Sequence, residues 1–145
     1  MIKKIERCID VVLDEGATMP SKAHEDDAGF DLYSTSEQII YAGNSAVFDT
    51  GVHIAIPKGY AGEVVGRSGL NINYDIICPQ GTVDAGYTGS IKVKLYNMGN
   101  YNYIVRKGDR IAQLIIVPVS KAELAKVDDL TGTDRGDTGF GASGR

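Results

Sequence analysis

Cysteine is scarce in this chain of 145 residues, which has two, Cys8 and Cys78. Both lie in apolar surroundings (ERCIDVV and DIICPQ) with no CxxC spacing and no histidine cluster beside them, which excludes a disulfide scaffold and a zinc site. They read as buried thiols in a reducing compartment. Long apolar runs are missing too, since nothing approaches the ~20 residues of a membrane span. MIKKIERCIDVV carries basic residues but only a broken apolar run after them, so no secretion signal is expected. Nor is there a basic excess. A formal net charge of −4 argues against a protein that coats nucleic acid, because such binding draws its affinity from clustered Lys and Arg. The expectation is a soluble, cytoplasmic protein with neither nucleic acid nor membrane as partner. Phosphate chemistry, if present, must be local, and with 15 basic residues a few arginines converging on one pocket suffice.

Glycine and short β-branched runs are plentiful. SIKVKLYN alternates Ile91, Val93 and Leu95 with Lys92, Lys94 and Tyr96, the period of a strand with one buried face. VHIAI, AGEVV and RIAQLIIVPV are similar, and Gly, Pro or Asn punctuates them at YAGN, IPKGY, NMGN and RKGD. Eighteen glycines among turns at this spacing predict an all-β fold, a jelly-roll-like sandwich, in one domain large enough to bury roughly 68–70% of its unfolded surface without staples. SKAELAKVDDL stands out. Its Ser120-x-x-Glu123 capping box, with Leu124, Val127 and Leu130 at i, i+3 and i+6, reads locally as a short helix, and whether 120–130 is helix or strand stays open.

After about residue 131 the chain turns polar and glycine-rich, ending RGDTGFGASGR with one aromatic, Phe140. GFGASG matches a dinucleotide-binding G-x-G-x-x-G, but that pattern works only between a strand and a helix, and one residue, Arg145, follows it. RGD at Arg135–Asp137 is a tripeptide that recurs by chance.

Four stretches combine glycine with charged or hydroxyl residues where strands should end: AGFDL (28–32), GRSGL (66–70), GTVDAGYTG (81–89) and GDRIAQL (108–114). GRSGL offers a forked cation in Arg67, a hydroxyl in Ser68 and a glycine, Gly69, that lets backbone N–H groups approach closely. Together they make a phosphate cradle, or an ordinary turn with a solvated arginine. GTVDAGYTGSIKV reads as a hairpin with Asp84 near its tip and Tyr87 three residues on. Alone, Asp84 fits a turn-former, Tyr87 a half-buried strand aromatic, Asp31 a strand-end carboxylate and Gln113 a solvated strand residue.

Taken together, in this order and with the tail, these stretches resemble the five motifs of the homotrimeric dUTPases over about four fifths of the chain, from Ala28 to Gly144. The resemblance implies hydrolysis of dUTP to dUMP and pyrophosphate, with Mg²⁺ held mainly by the phosphates. Asp84 then orients and deprotonates the attacking water, with Gln113 and Arg135 completing the catalytic set at the α- and γ-phosphates. Arg67, Ser68 and Gly69 bind the triphosphate, and the backbone of Gly81, Thr82 and Val83, with Lys92, reads uracil. Tyr87 packs on the deoxyribose and leaves no room for a 2′-hydroxyl, while Asp31 meets the metal only through its waters. The tail, 131–145, becomes a lid on a 1–130 jelly-roll domain, with Phe140 stacking on uracil and Gly141 and Ser143 around the phosphates. It also implies a homotrimer with shared sites.

The chain departs from the family in places. Gly66 stands where the family usually has Pro, which should loosen the local backbone. Gly141-Ala142-Ser143-Gly144 replaces Gly-Ser-Thr-Gly, and Thr138 occupies a position that is often Gly, so weaker lid closure is expected. Two other readings are a dCTP deaminase, which shares the fold but needs a carboxylate placed against C4 of cytosine, and a regulatory module that binds dUTP with little turnover.

Overall fold

The computed structural model describes residues 8–144. The elements, in chain order, are β1 (Val11–Leu13), β2 (Phe30–Tyr33), β3 (Gln38–Ile40), β4 (Ser45–Asp49), β5 (Val52–Ile54), β6 (Tyr60–Val65), α1 (Ser68–Tyr74), β7 (Ile76–Ile77), β8 (Gly81–Val83), β9 (Lys92–Asn97), β10 (Tyr103–Val105) and β11 (Arg110–Pro118). A four-stranded sheet runs β2-β11-β6-β8 and a three-stranded one β4-β9-β7, with β1-β5 and β3-β10 as separate pairs, all antiparallel. One core joins them: Leu32, Val64, Val83 and Leu114 from the first sheet pack with Phe48, Ile76, Val93 and Leu95 from the second. The all-β, jelly-roll-like sandwich expected from the sequence is the observed architecture.

The alternation read in SIKVKLYN holds. Ile91, Val93 and Leu95 are buried, and Lys92 and Lys94 are exposed. The hairpin does not. β8 pairs with β6, and β9 pairs with β4 and β7, so the two runs part company at Asp84 and enter different sheets. Long-range pairing outweighs the local turn signal, and the 84–91 segment becomes a crossover between the layers. Asp31, expected at a strand end, is the second residue of β2 and lies directly opposite Gln113 of β11.

Two further departures concern helices. The sequence reading missed α1, whose seven residues include a glycine and two asparagines and bury one side chain, Leu70. It ends at Asp75, in the left-handed region at φ 57°, where the backbone amide bonds the Asn71 carbonyl at 3.1 Å. Residues 120–130 are neither helix nor strand. Ser120 accepts a bond from the Ala122 amide at 3.1 Å, and Leu124, Val127 and Leu130 are all exposed. An isolated helix this short is marginal in water, and among the described residues nothing covers its apolar stripe. Cys8 is also exposed rather than buried, because the adjoining β1 keeps Val12 and Leu13 toward solvent, and Cys78 is half-buried. Neither is bridged.

Among the described residues no helix is long and apolar enough to cross a membrane.

Candidate active site

The crossover opens a cavity of about 370 Å³ between the two sheets, lined among others by Gly81, Thr82, Val83, Asp84, Tyr87 and Lys92. These six are the residues expected to read base and sugar and to activate water. β8 is the last strand of its sheet, so its outer edge, unpaired with any other strand among the described residues, presents backbone N–H and C=O groups to this space. Tyr87 is half-exposed and folds back, its hydroxyl donating to the Ser90 carbonyl at 2.9 Å. The ring lies so close over Gly89 that a Cβ there would meet the phenolic oxygen at 2.5 Å, so a larger residue at 89 would push the Tyr87 ring out of this position.

Beside it lies a second cavity of about 290 Å³, lined by Gly66, Arg67, Ser68, Asn71 and Cys78 among others. Cys78 lines both, so the two form adjoining compartments. Burial pushes the Cys78 thiol above its ordinary range, which keeps it a neutral wall. The GRSGL loop is placed by β6, which delivers Gly66, and by Gln113, whose Nε2 donates to the Gly66 carbonyl at 3.2 Å. Gln113 therefore tethers the Gly66 end of this loop.

Asp31, mostly buried, faces two guanidinium groups. Arg67 Nε is 3.4 Å from one carboxylate oxygen and Arg110 Nε 3.4 Å from the other. Arg110 also lies over the Tyr33 ring, 5.8 Å from its centre. A bulge in β11 produces this placement, because the register shifts between Arg110 and Ala112 and re-aims the arginine at the strand end. Arg67 and Arg110 share a further open cavity of about 540 Å³ with Tyr74, Tyr103 and Asp109. Burial chiefly, with Asp109 and Tyr74, raises the Tyr103 pKa, so its phenol stays neutral there, while Arg67 opposes the shift. The sequence reading missed Arg110, although GDRIAQL contains it.

The tail residues do not join these compartments within one chain. Arg135, Phe140, Gly141 and Ser143 are exposed, and Arg135 Nε bonds the nearby Thr138 carbonyl at 2.7 Å. Among the described residues no group of three or more His, Cys, Asp or Glu converges to hold a metal ion. The donor set, a carboxylate already shared by two arginines, suits a hydrated Mg²⁺ better than a bare one.

The family model for dUTPase matches residues 15–144. The chain belongs to the dUTPase family. Curated dUTPase relatives named deoxyuridine 5'-triphosphate nucleotidohydrolase include those of Clostridium acetobutylicum, 41% identical over 91% of this chain and 92% of the relative, and Mycobacterium marinum, 44% identical over 92% of each. Among solved structures, the Staphylococcus bacteriophage 80alpha dUTPase with dUpNHpp superposes with a TM-score of 0.88 at 31% identity, covering 97% of this chain and 100% of that one. A substituted dUTPase from phage phi11 of S. aureus, described for its coordination of a structural Mg(II) ion, matches with a TM-score of 0.79 at 30% identity over 84% of this chain and 97% of its own.

Gly66 allows a test of local backbone freedom in this dUTPase. Its φ is not positive, and a Cβ there would stand 3.5 Å from that of Cys78, an ordinary contact. Gly66→Ala is therefore expected to raise stability by about 0.4–1 kcal/mol through the unfolded chain. Thermal melting of the variant checks this, and a lowered midpoint would show that the loop needs its freedom.

Proposed function

We propose that this dUTPase converts dUTP to dUMP and pyrophosphate through a water oriented by Asp84 for attack on the α-phosphorus. The observation that carries the reading is the single cavity in which Asp84, Tyr87, Lys92 and the outer edge of β8 meet, adjoining the Arg67–Ser68 compartment. Rigid backbone groups of Gly81 and Val83 match the acceptor–donor–acceptor edge of uracil. They oppose cytosine's amino group because a mismatched buried polar group is costly. Tyr87, fixed over Gly89, takes the deoxyribose face. Arg67, Ser68 and Gly69 receive the phosphates, and Gln113 keeps the Gly66 end of the loop in place. Asp31 aligns Arg67 and Arg110, so that positive charge is fixed before substrate arrives. Mg²⁺ bound to the triphosphate would offset developing negative charge, with Asp31 reaching it through water.

We further read 131–145 as a lid supplying Arg135, Phe140, Gly141 and Ser143. Full exposure of Leu124, Leu130 and Phe140 in one chain supports a tail that packs on a second copy, which fits the homotrimer with shared sites that the resemblance implies. Unbridged Cys8 and Cys78 fit a reducing, cytoplasmic setting.

Pyrophosphate release from dUTP, UTP, dTTP and dCTP with Mg²⁺ tests the reading, with turnover expected for dUTP alone. Ammonia from dCTP would turn it to deamination, and dUTP bound without release to regulation. Ala142→Ser restores a hydroxyl that the family usually has and is expected to lower KM several-fold, by roughly one hydrogen bond. Unchanged KM would mean that this position does not touch substrate.

A further inference from the structure

His53 of β5 lies outside every motif considered above. Its Nδ1 is 2.7 Å from the Thr88 carbonyl oxygen and its Nε2 is 3.0 Å from Asp14 Oδ1, just beyond β1. Both partners only accept, so an imidazole satisfying both must donate from both nitrogens, which is the protonated ring. A neutral ring donates once and turns a lone pair toward the other oxygen. Thr88 follows Tyr87 directly, within the crossover that starts at Asp84.

That crossover hangs from three anchors. Ile91 exchanges backbone bonds with Thr50 and Val52, at 3.1 and 2.9 Å, and its carbonyl also takes the Thr50 hydroxyl at 2.6 Å. Ser90 donates its hydroxyl to Asp49. The third anchor, His53 on the Thr88 carbonyl, is the one nearest Tyr87 in sequence and the one of the three whose donor changes charge near neutral pH.

We propose that His53 is a positioning residue for the 84–91 crossover, and that its protonation holds Tyr87 in the geometry that discriminates deoxyribose from ribose. The inference rests on the assignment of Asp84 and Tyr87 to the active site. Several charged groups face the imidazole: Asp14 beyond β1, Asp10 before it on the same cavity wall, and Asp49 at the end of β4, itself near Lys92 of β9. The Thr88 carbonyl first, then Asp14, raise the His53 pKa above its ordinary 6.5, against a smaller opposing effect of burial. A raised value means that the tether is complete below that ordinary value and is lost as pH rises through the folded one.

The experiment measures kcat and KM for dUTP and UTP between about pH 5.5 and about pH 8.5, a range that spans ordinary histidine. It compares the natural chain with His53→Gln and Asp14→Asn, and follows the imidazole signals by NMR. The chain has two histidines, so the His53 signal is assigned by its loss in His53→Gln. In the natural protein the dUTP-to-UTP ratio of kcat/KM is expected to fall several-fold across the His53 titration, mainly through KM. In His53→Gln it stays flat near the high-pH level. Asp14→Asn, which keeps the ring, moves both the NMR midpoint and the kinetic inflexion to lower pH. A natural-like profile in His53→Gln overturns the proposal, as does an inflexion that does not follow the NMR midpoint in Asp14→Asn. Failure of the active-site assignment shows separately, as full turnover by Asp84→Asn.

Discussion

Asp84→Asn is expected to lower kcat for dUTP by about 10²–10⁴-fold, the usual contribution of a positioned general base, with KM close to that of the natural chain. Asparagine keeps the size of the side chain and can still hold a water, but it cannot take the proton when oxygen attacks phosphorus. The substrate contacts we propose lie elsewhere, on the β8 edge, Tyr87 and the Arg67 loop, so ground-state binding is expected to survive. Folding should survive too, because Asp84 is exposed and its backbone carbonyl, which accepts the Tyr87 amide at 3.0 Å, is retained. Steady-state pyrophosphate release beside a melting curve separates these effects. A kcat within tenfold of natural, in a folded variant, would remove Asp84 from the role of base.

How far this site could be read from sequence depended on range. The burial of Ile91, Val93 and Leu95 was legible because strand alternation is a local signal. Gly81 to Val83, Asp84, Tyr87 and Lys92, which the resemblance had grouped, line one cavity. The hairpin failed because nothing local says that β8 and β9 will prefer separate partners, β6 on one side and β4 and β7 on the other. Asp31 with Arg67 and Arg110 was illegible for the same reason. Three residues distant in sequence meet through the β2–β11 pairing and one bulge. His53 was invisible, a lone histidine in an ordinary strand until its two acceptors are seen. In 120–130 the apolar spacing was real, but a helix needs something to pack on, and within the described residues that face is open to solvent.

The same segment frames the second large effect. Truncation after Leu130 should leave the folded domain intact, since the buried core ends at Leu114 and no described residue beyond it is buried. Catalysis should suffer heavily. Loss of Arg135 removes a cation that we assign to the γ-phosphate, and kcat is expected to drop by about 10³-fold, the low end for an arginine acting on a transferring phosphoryl group. Loss of Phe140 removes stacking worth about 1–3 kcal/mol per base, so KM should rise about tenfold or more. The tail's backbone suits a lid. Gly132, Gly136, Gly141 and Gly144 all take positive φ, and so does Phe140 at 50°, a conformation that a bulky side chain rarely keeps without packing to hold it. Fully exposed, Phe140 has no such packing in the single chain, whereas closure over a bound base would supply it. Kinetics and melting of the truncated chain decide between lid and bystander. Near-natural kcat/KM would sink the lid, and a large fall in melting temperature would mean that the tail serves chiefly to hold the assembly together.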